Sequence, residues 1–192
     1  MLFLFGQCAQ FESPHVLTIG NFDGVHRGHQ AVIAQAREAA SRLHLPLTVL
    51  LFEPQPREYF AQRQDEKSPP RLMALRDKVN ALASLGVDCV WCIRFGRIQS
   101  MTAEAFVSAL IAQKRVQHLV VGDDFRFGAD RRGDYPYLAS VASRFAFTLE
   151  QSGTHCEQND RISSSRIRYA LAKHDFVTAE QLLGRPYMLS GR

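Results

Sequence analysis

The densest chemistry in the chain lies in Thr18-Ile19-Gly20-Asn21-Phe22-Asp23-Gly24-Val25-His26-Arg27-Gly28-His29. An apolar run enters a glycine-rich turn there, and a helical pattern leaves it. The glycines permit positive φ and close backbone approach, and a helix start turns free N–H groups toward an anion. His26 and His29 flank Gly28 at that start, where imidazoles donate to phosphate oxygens. Two histidines three apart also suit a metal, but a zinc site needs three or four ligands and no obvious third accompanies them. Read as plain polar caps, they would not require the glycines around them.

Two further clusters carry polar chemistry. Val120-Val121-Gly122-Asp123-Asp124-Phe125-Arg126-Phe127-Gly128 follows an apolar run, which puts its turn at the carboxyl edge of a sheet beside the first loop. Doubly wound sheets bind ligands at that edge. Taken alone, the segment reads equally well as a turn whose aspartates cap a helix. Arg161-Ile162-Ser163-Ser164-Ser165-Arg166-Ile167-Arg168 sets serines before an apolar-periodic stretch, an N-cap signature. The same hydroxyls, helix N-terminus and arginines also make a phosphate clamp. Arg166 and Arg168 are two apart and do not share a helix face, so one of them is expected to reach the phosphates directly.

These clusters need elements to hold them. Apolar runs at 16–19, 47–52, 87–93 and 119–121, with a weaker one at 145–149, suit strands buried on both faces, as in a parallel sheet. Helical stripes lie between them: 29–43, then Leu72, Leu75, Val79, Leu82 and Leu85 at spacings of three and four, then Phe106, Val107, Leu110 and Ile111 after the N-cap Thr102. The alternation predicts right-handed βαβ units in an α/β, doubly wound, mainly parallel sheet. From Ser163 onward the pattern predicts a short tail of two helices ending near Gly184. The polar stretch 62–70 reads as a loop.

Composition sets outer bounds. With 192 residues, 46% apolar and 22% charged, the chain is an ordinary globular sequence. It is long enough to bury roughly 70% of its unfolded surface. Its net charge of +4 is compatible with an anionic partner. No apolar stretch reaches bilayer length. Met1-Leu2-Phe3-Leu4-Phe5 lacks the basic start of a secretory leader. Four irregularly spaced cysteines make no disulfide framework, so a cytoplasmic location is expected. Cys89-Val90-Trp91-Cys92 lies in a predicted strand rather than at a helix start, so both cysteines read as core. His15, His44, His118, His155 and His174 read as surface or satisfied core residues, and Arg131-Arg132 as a solvated loop.

The three clusters together resemble the FAD synthetase module of the prokaryotic bifunctional riboflavin kinase/FMN adenylyltransferase family, within the HxGH nucleotidyltransferase superfamily. The likeness extends through Phe52-Glu53-Pro54-Gln55-Pro56-Arg57, Pro69-Pro70-Arg71-Leu72 and Leu182-Leu183-Gly184-Arg185-Pro186-Tyr187. Gln55 stands where many relatives carry His, and Ser165 where many carry Thr. The resemblance implies a Rossmann-like nucleotidyltransferase fold and transfer of AMP from ATP to FMN, giving FAD and pyrophosphate. It implies His26, His29, Asp124 and Arg168 as catalytic groups. ATP and its phosphates would meet Gly20, Asn21, Phe22, Asp23, Gly28, Gly122, Ser163, Ser164 and Arg166. Phe52, Pro56, Phe60, Phe125 and Phe127 would wall the flavin. Mg²⁺ would be held mainly by substrate phosphates, without a dedicated protein metal site.

On that basis residues 1–186 form the adenylyltransferase domain, and 187–192 begin a linker to a riboflavin kinase domain absent from this chain. The full-length relative would also phosphorylate riboflavin to FMN, which the present chain alone is not expected to do. Neither nucleic acid nor membrane is an expected partner, since no basic stripe with interleaved aromatics appears. Two alternatives share the motifs. One is another HxGH adenylyl- or cytidylyltransferase, acting on pantetheine phosphate or a lipid head group. The other is a non-catalytic nucleotide- or RNA-binding module of the same fold.

Overall fold

A computed structural model describes every residue except 8, 158, 159, 191 and 192. The last two belong to the expected linker segment and lie outside the described residues. Six parallel strands form one sheet: β1 (Leu2–Phe5), β2 (His15–Ile19), β3 (Leu47–Glu53), β4 (Cys89–Arg94), β5 (Val116–Gly122) and β6 (Thr148–Ser152), in the order β1-β4-β3-β2-β5-β6. The central strands read as unbroken apolar runs because alternate residues fill opposite cores. Leu17, Leu50, Trp91 and Leu119 enter one cluster; Val16, Val49, Val90 and Val120 enter the other.

The first helix, α1 (Arg27–Leu43), joins β2 to β3, and α2 (Pro56–Gln64) with α3 (Leu75–Ser84) joins β3 to β4. Ile33, Ala36 and Leu82 of α1 and α3 fill the core on one face. The connections α4 (Ala103–Leu110) and α5 (Tyr135–Val141) bring Phe106 and Leu138 to the other. Strand order therefore reverses between β2 and β5, and their carboxyl ends open a crevice between diverging loops. A two-stranded antiparallel hairpin, β7 (Cys156–Glu157) and β8 (Asp160–Arg161), follows β6. The chain ends in α6 (Ser164–Ala172) and α7 (Phe176–Leu183), which pack with Leu72 in a third core. Among the described residues no helix is long and apolar enough to cross a membrane.

Three expectations need correction. The loop foreseen at 62–70 starts later, because α2 runs to Gln64; its first residue, Pro56, lacks an N–H just where a helix has no use for one. The strand expected at 145–149 lies at Thr148–Ser152, as β6. His15 is fully buried, yet neither ring nitrogen finds a hydrogen-bond partner among the described residues. Its ring instead lies 4.2 Å from that of Phe11, centroid to centroid.

Candidate active site

The crevice is a cleft of about 420 Å³. The turn from β2 into α1 forms its floor. This turn is held from behind, because every carbonyl from Asn21 to Val25 accepts a hydrogen bond from the protein. Lys78 Nζ donates to the Asn21 oxygen at 2.7 Å, Val25 N–H to Phe22 at 3.1 Å, and Ser164 Oγ to Asp23 at 2.9 Å. Arg185 donates to the Gly24 oxygen at 2.8 Å and Gln30 to that of Val25 at 2.9 Å. Phe22 and Val25 are held at φ of 46° and 42°, a region side chains avoid. Gly24, at φ 84°, leaves room for Leu72, whose Cδ1 would lie 3.0 Å from any added Cβ.

His26 caps α1: its Nδ1 accepts the His29 backbone N–H at 3.2 Å. That bond fixes the proton on Nε2, the nitrogen left to donate to a ligand. The His26 and His29 rings stack with centroids 3.5 Å apart. A side chain on Gly28 would press on the His26 imidazole at 3.3 Å, so this glycine is what lets the rings lie flush. Burial, aided by the charges of Arg161 and Arg185, pushes His26 down to about 4 despite a backbone hydrogen bond. Burial, then His26 and Lys78, holds His29 well below its usual value. At neutral pH both rings are uncharged donors. Capping and anion binding are therefore not alternatives here, since His26 has one nitrogen for each.

Opposite stands the start of α6. Ser163 caps it, accepting the Arg166 N–H at 3.2 Å. Arg168 reaches back to pair with the buried Asp23 and donates to the Pro70 carbonyl at 2.7 Å. Asp23 also accepts the Leu72 N–H at 3.1 Å, so it ties three segments together behind the cleft. Arg166 points elsewhere, donating to the Glu157 and Asp160 carbonyls at 3.0 and 3.1 Å. The two arginines diverge as their spacing demands.

A sequence model described as FAD synthetase matches residues 8–166, most of the chain. The chain belongs to the FAD synthetase family. It is 49% identical over 179 residues to the bifunctional riboflavin kinase/FMN adenylyltransferase of Escherichia coli (strain K12), covering 92% of this chain and 56% of that protein. The similarly named protein of Haemophilus influenzae is 46% identical over 178 residues, covering 92% and 57%. The chain thus spans a little over half the length of these curated relatives. The crystal structure of macrolide-efflux protein from Streptococcus pneumoniae superposes with a TM-score of 0.85 at 26% identity, over 97% of this chain and 61% of that one.

In this FAD synthetase family member all the residues singled out from sequence line the cleft except Arg166, Phe60 and Phe127. Phe127 is buried behind Phe125, ring centroids 5.4 Å apart, and packs on Phe106 at 4.8 Å. Phe60 lies on α2 in a cluster with Tyr59 and Phe95. That cluster borders a second hollow of about 770 Å³, lined by Phe5, Pro54, Tyr59 and Arg94 among others. Among the described residues the lining of that hollow includes no histidine or serine, whereas the cleft has both.

The cleft also contains arginines that sequence reasoning left unassigned. Arg57, Arg126, Arg131 and Arg161 join Arg168; against Asp23, Asp123 and Asp124, these five leave two positive charges in excess. Arg161 donates to Asp123 and Asp124, at 2.9 Å each. Arg57, Arg126 and Arg161 stood inside quoted motifs, and Arg131, read from sequence as part of a solvated loop, lies three residues after one, so position in or near a ligand loop was the available signal. Cys89 and Cys92 are buried in β4, where burial raises both thiols to about 11.

Proposed function

We propose that the chain, through residues 1–186, transfers AMP from ATP to FMN, and that the facing of neutral His26 and His29 by the Ser163–Arg168 helix start carries this assignment. An FMN phosphate oxygen attacks the α-phosphorus of ATP. The new O–P bond forms as the bond to the β-phosphate oxygen breaks, and pyrophosphate leaves. No enzyme nucleophile is required; the protein's task is to position the partners and stabilise charge on the transferring and leaving groups.

The residues divide that task. His26 donates from Nε2 to the triphosphate, and His29 beside it stabilises charge growing at the α-phosphoryl group. N–H groups of Asn21 and Phe22, with Gly28 at the helix start, cradle the nucleotide phosphates, while Gly20, whose N–H is already donated to the Leu50 carbonyl at 3.2 Å, borders them in the cleft. Ser163, Ser164 and Arg168 receive the pyrophosphate. Phe52, Pro56 and Phe125 offer the flavin an apolar wall, with Phe127 backing Phe125. Asp124, mostly exposed in the cleft, is a carboxylate oxygen donor of the kind Mg²⁺ takes. The ion would rest chiefly on phosphate oxygens, with Asp124 as the protein's contribution, and would neutralise charge there.

The arginines converge on a small cleft instead of spreading as a stripe, which supports small-molecule substrates over nucleic acid. Free thiols at Cys89, Cys92 and Cys156 suit a reducing cytoplasm. The test is purified protein with ATP, Mg²⁺ and FMN, FAD being followed by chromatography. Parallel reactions replace FMN with pantetheine phosphate or a phosphorylated lipid head group. FAD formation supports the assignment; turnover of only an alternative acceptor, or nucleotide binding without turnover, overturns it.

A further inference from the structure

Lys78 of α3 is 2% exposed and lies outside the cleft lining. Among the described residues the one hydrogen bond of its ammonium runs to the Asn21 carbonyl, which it holds. Burial is costly for an ammonium and pushes Lys78 below its ordinary pKa. The charges acting on it are Asp23, Glu53, Glu58 and Arg71. These carboxylates have two arginines between them: Arg168 pairs with Asp23, and Glu53 and Glu58 share Arg71. Two arginines and one lysine thus face three carboxylates, and Lys78 balances the set.

A trans peptide points its C=O and the next residue's N–H in opposite directions. With the Asn21 carbonyl drawn inward to Lys78, the Phe22 N–H is directed outward. Among the described residues that N–H has no hydrogen-bond partner. Phe22 itself sits at φ 46°, so this peptide is not where the backbone would rest unaided.

We propose that Lys78 is a positioning residue for the nucleoside triphosphate. By anchoring the Asn21 carbonyl it aims the Phe22 N–H at the phosphates, and its charge offsets the carboxylates beneath the loop. This deepens the assignment of the cleft to ATP and FMN and rests on it.

The experiment compares the parent with Lys78→Met. A double variant, Lys78→Met with Glu58→Gln, removes one charge of each sign and serves if the single variant does not fold. Circular dichroism and thermal melts establish folding. ATP affinity is read by calorimetric titration, and KM is measured for ATP and FMN separately. Loss of one charge-assisted bond predicts ATP affinity weakened by about 10- to 100-fold, with the FMN KM within about twofold of the parent. ATP affinity within about twofold of the parent in a folded variant overturns the proposal. So does an equal loss toward both substrates, which marks general loosening. If the parent binds ATP but makes no FAD, the transfer assignment falls while the ATP titration still judges Lys78.

Discussion

On the proposed function His29 and Arg168 would meet the phosphates in different ways, and their substitutions should separate accordingly. His29 is kept neutral and adds no charge attraction to the ground state. His29→Ala should therefore lower kcat on the order of 10²–10³-fold while FMN binding stays near the parent's. Stopped turnover assays at saturating substrate measure this, and an unchanged kcat would remove the histidine from the chemistry. Arg168 is bound at both ends of its guanidinium, to Asp23 and to Pro70. An ammonium is a flexible point charge that does not reproduce this two-handed grip. Arg168→Lys should raise the ATP KM and lower the Tm together; a variant equal to the parent in both would reduce Arg168 to a spectator. The motif residues were legible from sequence because glycine, histidine and serine cluster where an apolar run gives way to a helical pattern. Phe127 was not, since an aromatic in a ligand loop looks the same whether it faces the cleft or backs the residue that does. Lys78 left one mark: it falls between Leu75 and Leu82 at helical spacing, a charge on the stripe that faces the core.

The elements visible in sequence were those buried on both sides. β3, β4 and β5 read as apolar runs, and α1, α3 and α4 as stripes, because sheet faces and helix faces both meet a core. β1 is an edge strand with Leu2, Phe3 and Phe5 exposed, so its apolar residues carry no inside–outside pattern. α2 buries only Glu58 and Ala61 and shows no stripe at all. It is held instead by charge: burial would raise the Glu58 carboxyl, but Arg71 and the Gln55 N–H outweigh burial and keep it below its usual value. Pattern reading follows hydrophobic burial and misses elements fixed by polar partners. The seam between loop and tail gives a direct test at this scale. An alanine at Gly24 would need a positive φ and would push Leu72 away, with Leu183 close behind at 3.5 Å. Gly24→Ala should destabilise by about 2 kcal/mol and lower the Tm by about 4–8 °C in a thermal melt. No change in Tm would mean that the tail does not pack on the loop as described.

Across the whole molecule, buried neutral histidines set the acid limit of stability. Burial places His15 and His26 near 4, His29 well below its ordinary value, and His118 below it too. The unfolded chain takes up protons near 6.5 that the folded chain refuses, so stability is full above that pH and declines as pH falls toward 4. His15 and His26 each account for a loss on the order of 3 kcal/mol by pH 4. The Tm should be level from pH 7 to 8 and fall steadily below 6.5; a flat profile down to pH 4.5 would contradict the burial of these rings. The loop carrying two of these histidines has its carbonyls gripped by Ser164 and Arg185, residues that follow it by 141 and 161 positions. A ribosome makes the loop well over a hundred residues before these clasps. The nascent sheet therefore has all its strands before the loop acquires its full set of clasps, and a chain halted before α6 would carry every histidine and glycine of the motif with the Asp23 and Gly24 carbonyls still unheld. The loop's full set of clasps is thus complete only once Arg185 has been made.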